Sequence, residues 1–260
     1  MEHRTLGRTG RDVSVVGLGT WQLGADWGEV SESDALDVLS ASVEAGVTFF
    51  DTADVYGDGR SEQIIGTFLR SHPDVMVATK MGRRVDQALS AIARPNLASV
   101  QIILNAFRLK PLDAVLPAAI DAGVGIIARV PLASGLLSGK YDASTTFAAD
   151  DHRSYNRDGS AFDVGETFSG VDYETGLRAA AEFTSLVSSY APQDATSAQA
   201  AIAWVAQLPG VSTVIPGARS PEQARANAEA GSLPDLGDDL RHGVQRIYDE
   251  HLRAAIHPRW

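Results

Sequence analysis

Short apolar segments rich in Val, Ile and Phe recur along the chain, and helical patterns separate them. The segments are residues 17–20, 48–53, 75–80, 99–107, 125–130 and 212–217. Nearly continuous apolar runs are typical of parallel strands buried on both faces, and strands separated by helices join through right-handed crossovers. This alternation predicts an α/β fold. It leaves open whether the sheet is a barrel or doubly wound, although no G-x-G-x-x-G Rossmann fingerprint follows the first segment.

The segments between the strands carry helix signals. Ser31 and Ser33 offer N-cap hydroxyls to a helix that stops at Gly46, Ser61 begins another, and Pro111 suits the first turn before residues 112–121. Further helices are predicted at residues 86–94, 173–189, 197–207 and 238–255. Residues 1–15 predict a hairpin that covers one end of the fold. A length of 260 residues suits one large α/β domain or two small ones.

One connection, from about residue 138 to 172, is unusually long and rich in Gly, Ser and Asp. Connections longer than about 15 residues without their own secondary structure are usually functional lids or disordered segments. Scattered aromatic residues in this stretch favour a lid. We refer to residues 138–172 as the long loop.

Composition excludes several classes of partner. A net charge of −11 opposes a phosphate backbone, so nucleic acid is not expected. The chain has no cysteine, which excludes disulfides and thiolate-bound metals, and no metal site is predicted. No apolar run approaches the roughly 20 residues that span a bilayer, and the first residues do not resemble a secretion signal. A cytoplasmic protein without membrane contact is expected.

Three side chains suggest chemistry because of their spacing. Asp51 lies at the end of one strand, Tyr56 follows in the next loop, and Lys80 ends the next strand. Carboxyl ends of parallel strands share one face, so the three can meet there. A lysine ammonium held by a carboxylate lowers the pKa of a phenol and makes it a usable proton donor. Taken singly, each residue is more often a helix cap, a turn residue or a surface lysine.

Six segments, in order, resemble the aldo-keto reductase family. They are GLGTWQLG (17–24), FFDTADVYGDGRSEQIIG (49–66), ATKMG (78–82), SVQIILNAF (99–107), VPLASGLLSGKY (130–141) and VIPGARSPEQARAN (214–227). The resemblance touches nearly the whole chain, so it implies a single barrel domain over residues 1–260. It implies a TIM-type (β/α)8 barrel that binds NADPH and reduces a small-molecule carbonyl substrate, with Asp51, Tyr56 and Lys80 in catalytic roles.

The same resemblance implies a set of cofactor contacts. Gln101 matches the residue at the nicotinamide amide, and Arg129 stands where many relatives have a stacking aromatic. Residues at and beyond the end of the last strand match the family's contact with the adenosine 2′-phosphate, which favours NADPH over NADH. The full set is Gly19, Thr20, Trp21, Gln101, Arg129, Pro131, Leu132, Ala133, Gly135, Leu137, Lys140, Gly217, Arg219, Gln223 and Asn227.

The pattern breaks between Lys80 and Ser99, where the family has two additional βα units and a catalytic histidine. Only six barrel strands can be counted, so an incomplete or distorted barrel is predicted, with edges available for homo-oligomer pairing. No histidine lies at a strand end beside the three residues. His152, in the long loop, is the one candidate, and it is expected to be solvated.

Two functions follow. The first is an NADPH-dependent oxidoreductase that reduces an aldehyde or ketone to an alcohol with Tyr56 as the proton donor. The alternative is a truncated relative that binds the nucleotide but is catalytically weak or inactive, since the histidine segment is missing. The substrate itself does not follow from the sequence, because loops determine specificity in barrels.

Overall fold

The computed structural model describes residues 1–24, 30–53, 56–79, 88–93, 97–161 and 164–259. The chain begins with strands β1 (His3–Thr5) and β2 (Asp12–Ser14), which pair antiparallel. Gly10, with a φ of 65°, ends the turn between them. The predicted hairpin is therefore confirmed.

The first half of the domain contains three short parallel strands and two helices. In chain order they are β3 (Leu18–Gly19), α1 (Glu32–Glu44), β4 (Phe49–Asp51), α2 (Arg60–Phe68) and β5 (Met76–Ala78). The Ser31 hydroxyl accepts a hydrogen bond from the Asp34 backbone N–H, which confirms the predicted N-cap of α1. The three strands pair in the order β3, β4, β5.

The second half begins with α3 (Ala88–Ile92), β6 (Ser99–Ile103), α4 (Val115–Ala122) and β7 (Gly125–Arg129). It continues with α5 (His152–Tyr155), α6 (Tyr173–Tyr190), α7 (Ser197–Ala206), β8 (Val211–Ile215) and α8 (Pro221–Glu229). The chain then forms α9 (Gly237–Ile247), a π-helical turn (Tyr248–Leu252) and α10 (Arg253–Ile256). Strands β6, β7 and β8 pair in parallel.

Two sequence-based boundaries were wrong in detail. Pro111 lies in a separate 3-10 turn (Lys110–Leu112), and α4 begins only at Val115. The segment predicted as a strand over residues 99–107 forms a strand only as far as Ile103, because the chain then makes a tight turn from Asn105 to Arg108. The Asn105 side-chain oxygen accepts the Phe107 backbone N–H within this turn. An apolar run alone does not reveal where a strand bends.

The two parallel sheets join through β3 and β8. The Gly17 N–H donates to the Val214 carbonyl at 2.7 Å, and the Gly19 N–H donates to the Pro216 carbonyl at 3.1 Å. Six parallel strands therefore follow one another in the order β5, β4, β3, β8, β7, β6. Among the described residues, β5 and β6 form no ladder with each other.

This six-stranded sheet is strongly curved. Strands β4 and β6 are four steps apart in the sheet, which is about 19 Å if the sheet were flat. Yet the Gln101 side chain on β6 donates to the Asp51 carboxylate on β4 at 2.6 Å. The sheet therefore curls until its two halves face each other, as in a barrel. Pairing of its outer strands with a second copy stays a prediction.

Apolar side chains fill both surfaces of the curved sheet. Inside it, Leu6 and Val13 of the hairpin pack with Phe49, Ile127 and Ile215 of the strands, so the hairpin closes one end. Outside, one cluster packs α1, α2 and α8 against β3 and β4, and a larger one packs α4, α6, α7 and α9 against β7 and β8. The hairpin does not cover the opposite end of the sheet, where the carboxyl ends of the strands lie, so a ligand site can form there. No helix in the described part of the chain is long and apolar enough to cross a membrane.

Candidate active site

A cavity of about 220 Å³ opens at the carboxyl ends of β3, β4, β7 and β8. Ligand pockets commonly measure about 300–1,000 Å³, so a cavity of this volume suits a ring-sized group. Its walls come from the segments that follow the four strands and from the long loop. The lining residues are Gly19, Thr20, Trp21, Gln22, Asp51, Tyr56, Arg129, Val130, Pro131, Leu132, Ser134, Gly135, His152, Arg153, Glu166, Ile215, Pro216 and Gly217.

Asp51 lies at the inner end of the cavity, where β4 stops. It is 3% exposed, and one carboxylate oxygen accepts the Gln101 side-chain N–H at 2.6 Å. The Thr20 hydroxyl and backbone N–H both donate to the Asp51 carbonyl, at 2.8 and 3.0 Å. A buried carboxylate needs such support, because an isolated charge is costly to remove from water. The aspartate is therefore held in one position.

Tyr56 reaches the same cavity from the loop after β4. Its ring stacks on Trp21 with centroids 5.9 Å apart and planes 17° apart. Two glycines hold the loops of these rings together: a Cβ on Gly57, whose φ is 60°, would lie 2.0 Å from the Gly24 carbonyl oxygen. A side chain cannot fit there, so glycine sets the position of both aromatic rings. Lys80, the third predicted catalytic residue, lies outside the described residues.

Arg129, at the end of β7, forms a bidentate ion pair with Glu166 of the long loop, with both N–O distances at 2.6 Å. Burial by itself lowers the pKa of Arg129, but the hydrogen bonds and charge of Glu166, followed by the charges of Tyr56 and Asp51, raise it above its ordinary value. The guanidinium therefore stays charged. It lies near enough to Asp51 and Tyr56 for their charges to act on it.

The described residues of the long loop, 138–161 and 164–172, are folded and packed, consistent with a covering segment. Phe147, Phe168 and Tyr173 contact one another, and the Arg157 guanidinium lies 4.9 Å from the centre of the Tyr173 ring. The Ser134 hydroxyl donates to the Glu166 carbonyl and accepts from the Phe168 N–H, both at 3.0 Å. Together with the Arg129 ion pair, these bonds fix the loop across the cavity.

His152 was expected to be solvated, and that expectation was wrong. The imidazole is 2% exposed, lines the cavity, and lies 6.1 Å from the Trp21 ring between centroids. Burial lowers its pKa to about 4, although the neighbouring Asp151 carboxylate opposes that shift. The ring is therefore neutral at physiological pH. The long loop folds back over the strand ends, which a polar stretch of sequence does not reveal.

The predicted cofactor residues divide into two groups. Those that line the cavity are Gly19, Thr20, Trp21, Arg129, Pro131, Leu132, Gly135 and Gly217. Those that do not are Gln101, Ala133, Leu137, Lys140, Arg219, Gln223 and Asn227. Ala133 and Leu137 are buried in the core instead, and Lys140 is exposed.

Three residues of the second group, Arg219, Gln223 and Asn227, lie just before α8 or within it. The Arg219 N–H donates to the Gln223 side chain at 2.8 Å, and the Asn227 side chain donates to the Gly217 carbonyl at 3.1 Å. The chain therefore runs from the cavity wall at Gly217 directly to the N-terminal turn of α8. A helix N-terminus of this kind favours an anion.

The cavity suits a nicotinamide group. A Cβ on Gly217 would lie 2.0 Å from the Gln22 side-chain nitrogen, so glycine at this position lets the Gln22 carboxamide lie against the cavity wall. Among the described residues, the Gln22 side-chain oxygen is buried without a hydrogen-bond donor. A carboxamide NH2 supplies the donor that such an oxygen requires. The donor set and the glycines of the wall are thus compatible with the group that the sequence implies.

Sequence reasoning missed Glu166, Arg153 and Gln22 as cavity residues. Glu166 stands in a polar stretch without periodicity, where an acidic residue normally faces solvent. Its only detectable signal is the Arg129 cation, which is partly buried and needs a partner, and recognising that requires the folded structure. Gln22 follows Trp21 inside a segment already assigned to the site, so proximity in sequence could have identified it.

The Aldo/keto reductase family model matches residues 15–115 and 83–241 of the chain. Among curated proteins, pyridoxal 4-dehydrogenase of Microbacterium luteolum is 45% identical over 83 residues, which cover 32% of this chain and 24% of that protein. The aligned stretch thus spans about a quarter of that relative's length. An uncharacterized oxidoreductase of Mycobacterium tuberculosis is 28% identical over 292 positions and 85% of each chain.

The 292 positions of that longer alignment hold about 221 residues of this chain, which is 85% of 260. About 70 positions of the alignment therefore have no residue in this chain.

Two solved structures share the fold. Glycerol dehydrogenase from Gluconobacter oxydans superposes with a TM-score of 0.76 at 23% identity over 96% of both chains. An aldo-keto reductase from Klebsiella pneumoniae in complex with NADPH superposes with a TM-score of 0.68 at 18% identity, over 95% of this chain and 96% of that one.

Proposed function

Because this chain belongs to the aldo/keto reductase family, we propose that it is an NADPH-dependent reductase of a small aldehyde or ketone. The observation that carries the proposal is the convergence of Asp51 and Tyr56 on one cavity with glycines in its wall. The neighbour from Klebsiella pneumoniae, which was solved with NADPH, supports the choice of cofactor. The substrate class follows from what a phenol beside a hydride donor can do.

Tyr56 is proposed to donate its phenolic proton to the carbonyl oxygen of the substrate. The bound dihydronicotinamide supplies the hydride that reduces the carbonyl carbon. Asp51 is proposed to hold Lys80 beside the phenol, so that the ammonium favours loss of the phenolic proton. Arg129 lies near enough to Tyr56 and Asp51 for their charges to act on it, and it adds a second positive charge to this region.

The glycines and small residues of the cavity wall would hold the nicotinamide end of the cofactor. Gly19, Gly217 and the carboxamide of Gln22 form one side, and Gly135 with Leu132 forms another. We propose that Arg219, Gln223 and the start of α8 hold the 2′-phosphate. Arginine and a helix N-terminus both favour a phosphate group.

We also propose that the domain is a (β/α)8-type barrel shortened by about two βα units between Lys80 and Ser99. The two overlapping matches of the family model, which share residues 83–115, support a junction in this region. The roughly 70 alignment positions that lack a residue agree in size, because one βα unit with its following connection takes about 30 residues or more. The curled sheet of six parallel strands is compatible with this proposal.

The test is NADPH oxidation, followed at 340 nm, with a panel of acetaldehyde, glyceraldehyde and benzaldehyde. We expect turnover by the wild-type protein and a loss of at least about 10²-fold in Tyr56→Phe, because a positioned acid typically contributes 10²–10⁴ in rate. Tyr190→Phe is the matched control, since Tyr190 is 52% exposed on α6. NADPH binding without turnover of any aldehyde would instead favour the truncated, inactive relative.

A further inference from the structure

Gln101 lies on the inner face of the curved sheet. Its neighbours on β6, Val100 and Ile102, pack against the larger outer cluster of side chains. Successive side chains of a strand point to opposite faces, so Gln101 projects inward. Its partner on β7, Ile127, belongs to the inner cluster that the hairpin closes, which agrees with this direction. Gln101 is thus a polar side chain beside an apolar interior.

The Gln101 side chain ends at the carboxylate of Asp51. Its Nε2 donates to Asp51 Oδ1 at 2.6 Å, a short distance of the kind found when the acceptor is charged. Asp51 is 3% exposed, so its carboxylate depends on protein donors more than on bulk water. The bond therefore joins β6 to β4 across the interior of the fold, at the inner end of the cavity.

Different parts of the fold hold the backbone of Asp51 and its carboxylate. Residue 51 pairs with Gly19 of β3 and with Ala78 of β5, which fixes where the side chain begins. Rotation about the last bond of an aspartate side chain has broad minima, so strand pairing does not set the direction of the two oxygens. Gln101 reaches Asp51 from the other three-stranded sheet and binds one of these oxygens. The orientation of the carboxylate is therefore tied to Gln101.

We propose that Gln101 is a positioning residue, which turns the Asp51 carboxylate so that the amide holds one oxygen and the other is presented to the Lys80 ammonium. This inference rests on the proposed function, in which Asp51 holds Lys80 beside the Tyr56 phenol. Asp51 lines the cavity and Gln101 does not, so the amide is one side chain removed from a bound group. This role replaces the contact with the nicotinamide amide that the family resemblance implies.

The amide suits this role because it is neutral. A glutamine side chain offers N–H donors without a charge, so it orients the carboxylate and leaves the negative charge that attracts the lysine. A lysine or arginine at position 101 would compete with Lys80 for the same carboxylate. Gln101 transfers no proton, and its effect on the reaction passes through Asp51.

The first experiment uses Gln101→Met, whose side chain has a similar length and no N–H. We expect kcat for the most active aldehyde of the panel to fall about 10- to 100-fold, the range of one hydrogen bond to a charged group. KM for the aldehyde and the Kd of NADPH, measured by fluorescence, should stay within about twofold, because neither ligand contacts the amide. Gln63→Met is the matched control, since Gln63 is exposed on α2, and it should leave all three constants unchanged.

Gln101→Glu gives a readout that a merely structural role would not move. The new side chain has the shape of glutamine, but it donates to Asp51 only while the two carboxyl groups share a proton. Two carboxylates so close retain a proton at a pH where a single one is ionised, so kcat relative to the wild-type protein should rise from about pH 8.5 to about pH 5.5. Comparison with the wild-type protein cancels the contributions of the other titratable groups that line the cavity. These are Tyr56, Arg129, His152, Arg153 and Glu166.

A third measurement does not depend on turnover. Gln101→Met, Asp51→Leu and the variant with both changes are unfolded in urea. Gln101→Met takes a donor from a buried carboxylate, whereas the double variant has no carboxylate left to hold. The shift of the urea midpoint in the double variant should therefore differ from the sum of the two single shifts.

The outcomes separate the inference from the proposed function. Wild-type kcat in Gln101→Met overturns the inference, and so does an NADPH Kd that rises about tenfold or more in that variant. Additive shifts of the urea midpoint, or a relative kcat of Gln101→Glu that does not change with pH, also contradict it. A wild-type protein that oxidises no NADPH with any aldehyde would refute the proposed function. Non-additive shifts in such a protein would still identify Gln101 as the residue that orients Asp51.

Discussion

Replacing the buried histidine tests how the long loop is held over the strand ends at low pH. The ordinary pKa of a histidine is about 6.5, and burial lowers that of His152 to about 4. The unfolded chain therefore binds a proton more readily than the folded one between these values, so folding stability must fall as the pH drops through this window. The stability that the neutral His152 ring contributes is fully present above about pH 6.5 and is lost progressively towards pH 4.

The magnitude follows from the difference between the two pKa values. A shift of one unit corresponds to about 1.4 kcal/mol, so the wild-type protein should lose about 2 kcal/mol at pH 5 and about 3 kcal/mol at pH 4 from this residue alone. The phenylalanine side chain of His152→Phe cannot bind a proton, so this variant lacks that loss of stability. The charged groups that act on the ring, Asp151, Arg153 and Glu166, are present in both proteins, so the difference between the two isolates the imidazole.

The assay is urea unfolding of both proteins at pH 7, 6, 5 and 4, followed by circular dichroism. We expect the wild-type protein to lose more stability than His152→Phe as the pH falls, by about 2 kcal/mol at pH 5. Parallel pH dependences of the two proteins would refute the reasoning. They would mean that the imidazole is accessible to protons in the folded state, and hence that the loop does not bury it.

Two further substitutions test how the site is held together. Glu166→Gln should lower the free energy of unfolding by about 1–2 kcal/mol and speed proteolysis within the long loop, because it leaves the charge of Arg129 without its partner. Breaking a fully buried ion pair costs about 3–5 kcal/mol, and this pair is only partly buried. The control Glu174→Gln, at an exposed position, should change neither the free energy of unfolding nor the rate of proteolysis. Gly57→Ala should lower the free energy of unfolding by about 1–3 kcal/mol, because of the φ of 60° and the close contact with the Gly24 carbonyl. It should also reduce turnover by displacing the neighbouring Tyr56. Gly66→Ala, where an added methyl group meets nothing within 4 Å, should leave turnover unchanged or slightly raise the melting temperature.

Much of the fold could be predicted from the sequence, because hydrophobic periodicity and capping are local properties. Six apolar runs became the six parallel strands, and Ser31 caps α1 as its hydroxyl suggested. The meeting of Asp51 and Tyr56 at one rim was also predictable, since the carboxyl ends of parallel strands share a face. These inferences needed only the order of the elements and not their packing.

The contacts of the long loop could not be predicted, because they join distant positions that carry no periodic signal. Arg129 and Glu166 are 37 residues apart, and the chain between them is polar and rich in turn-forming residues. The same holds for His152, whose burial depends on how the loop crosses the strand ends. Gln101 shows a second limit: its place on β6 was predictable, but its hydrogen bond to Asp51 depends on how far the sheet curls.

The contacts between the N-terminal segment and β8 also have a consequence for how the chain reaches its native state. Arg4 bonds to the carbonyl of Val211, which lies 207 positions further along, and Gly17 bonds to Val214. A ribosome that synthesises about 5–20 residues per second reaches β8 about 10 to 40 seconds after β1. The N-terminal segment must remain without its final partners during that interval. We expect slow assembly of high contact order, in which the earliest residues to be translated are among the last to become protected from hydrogen exchange.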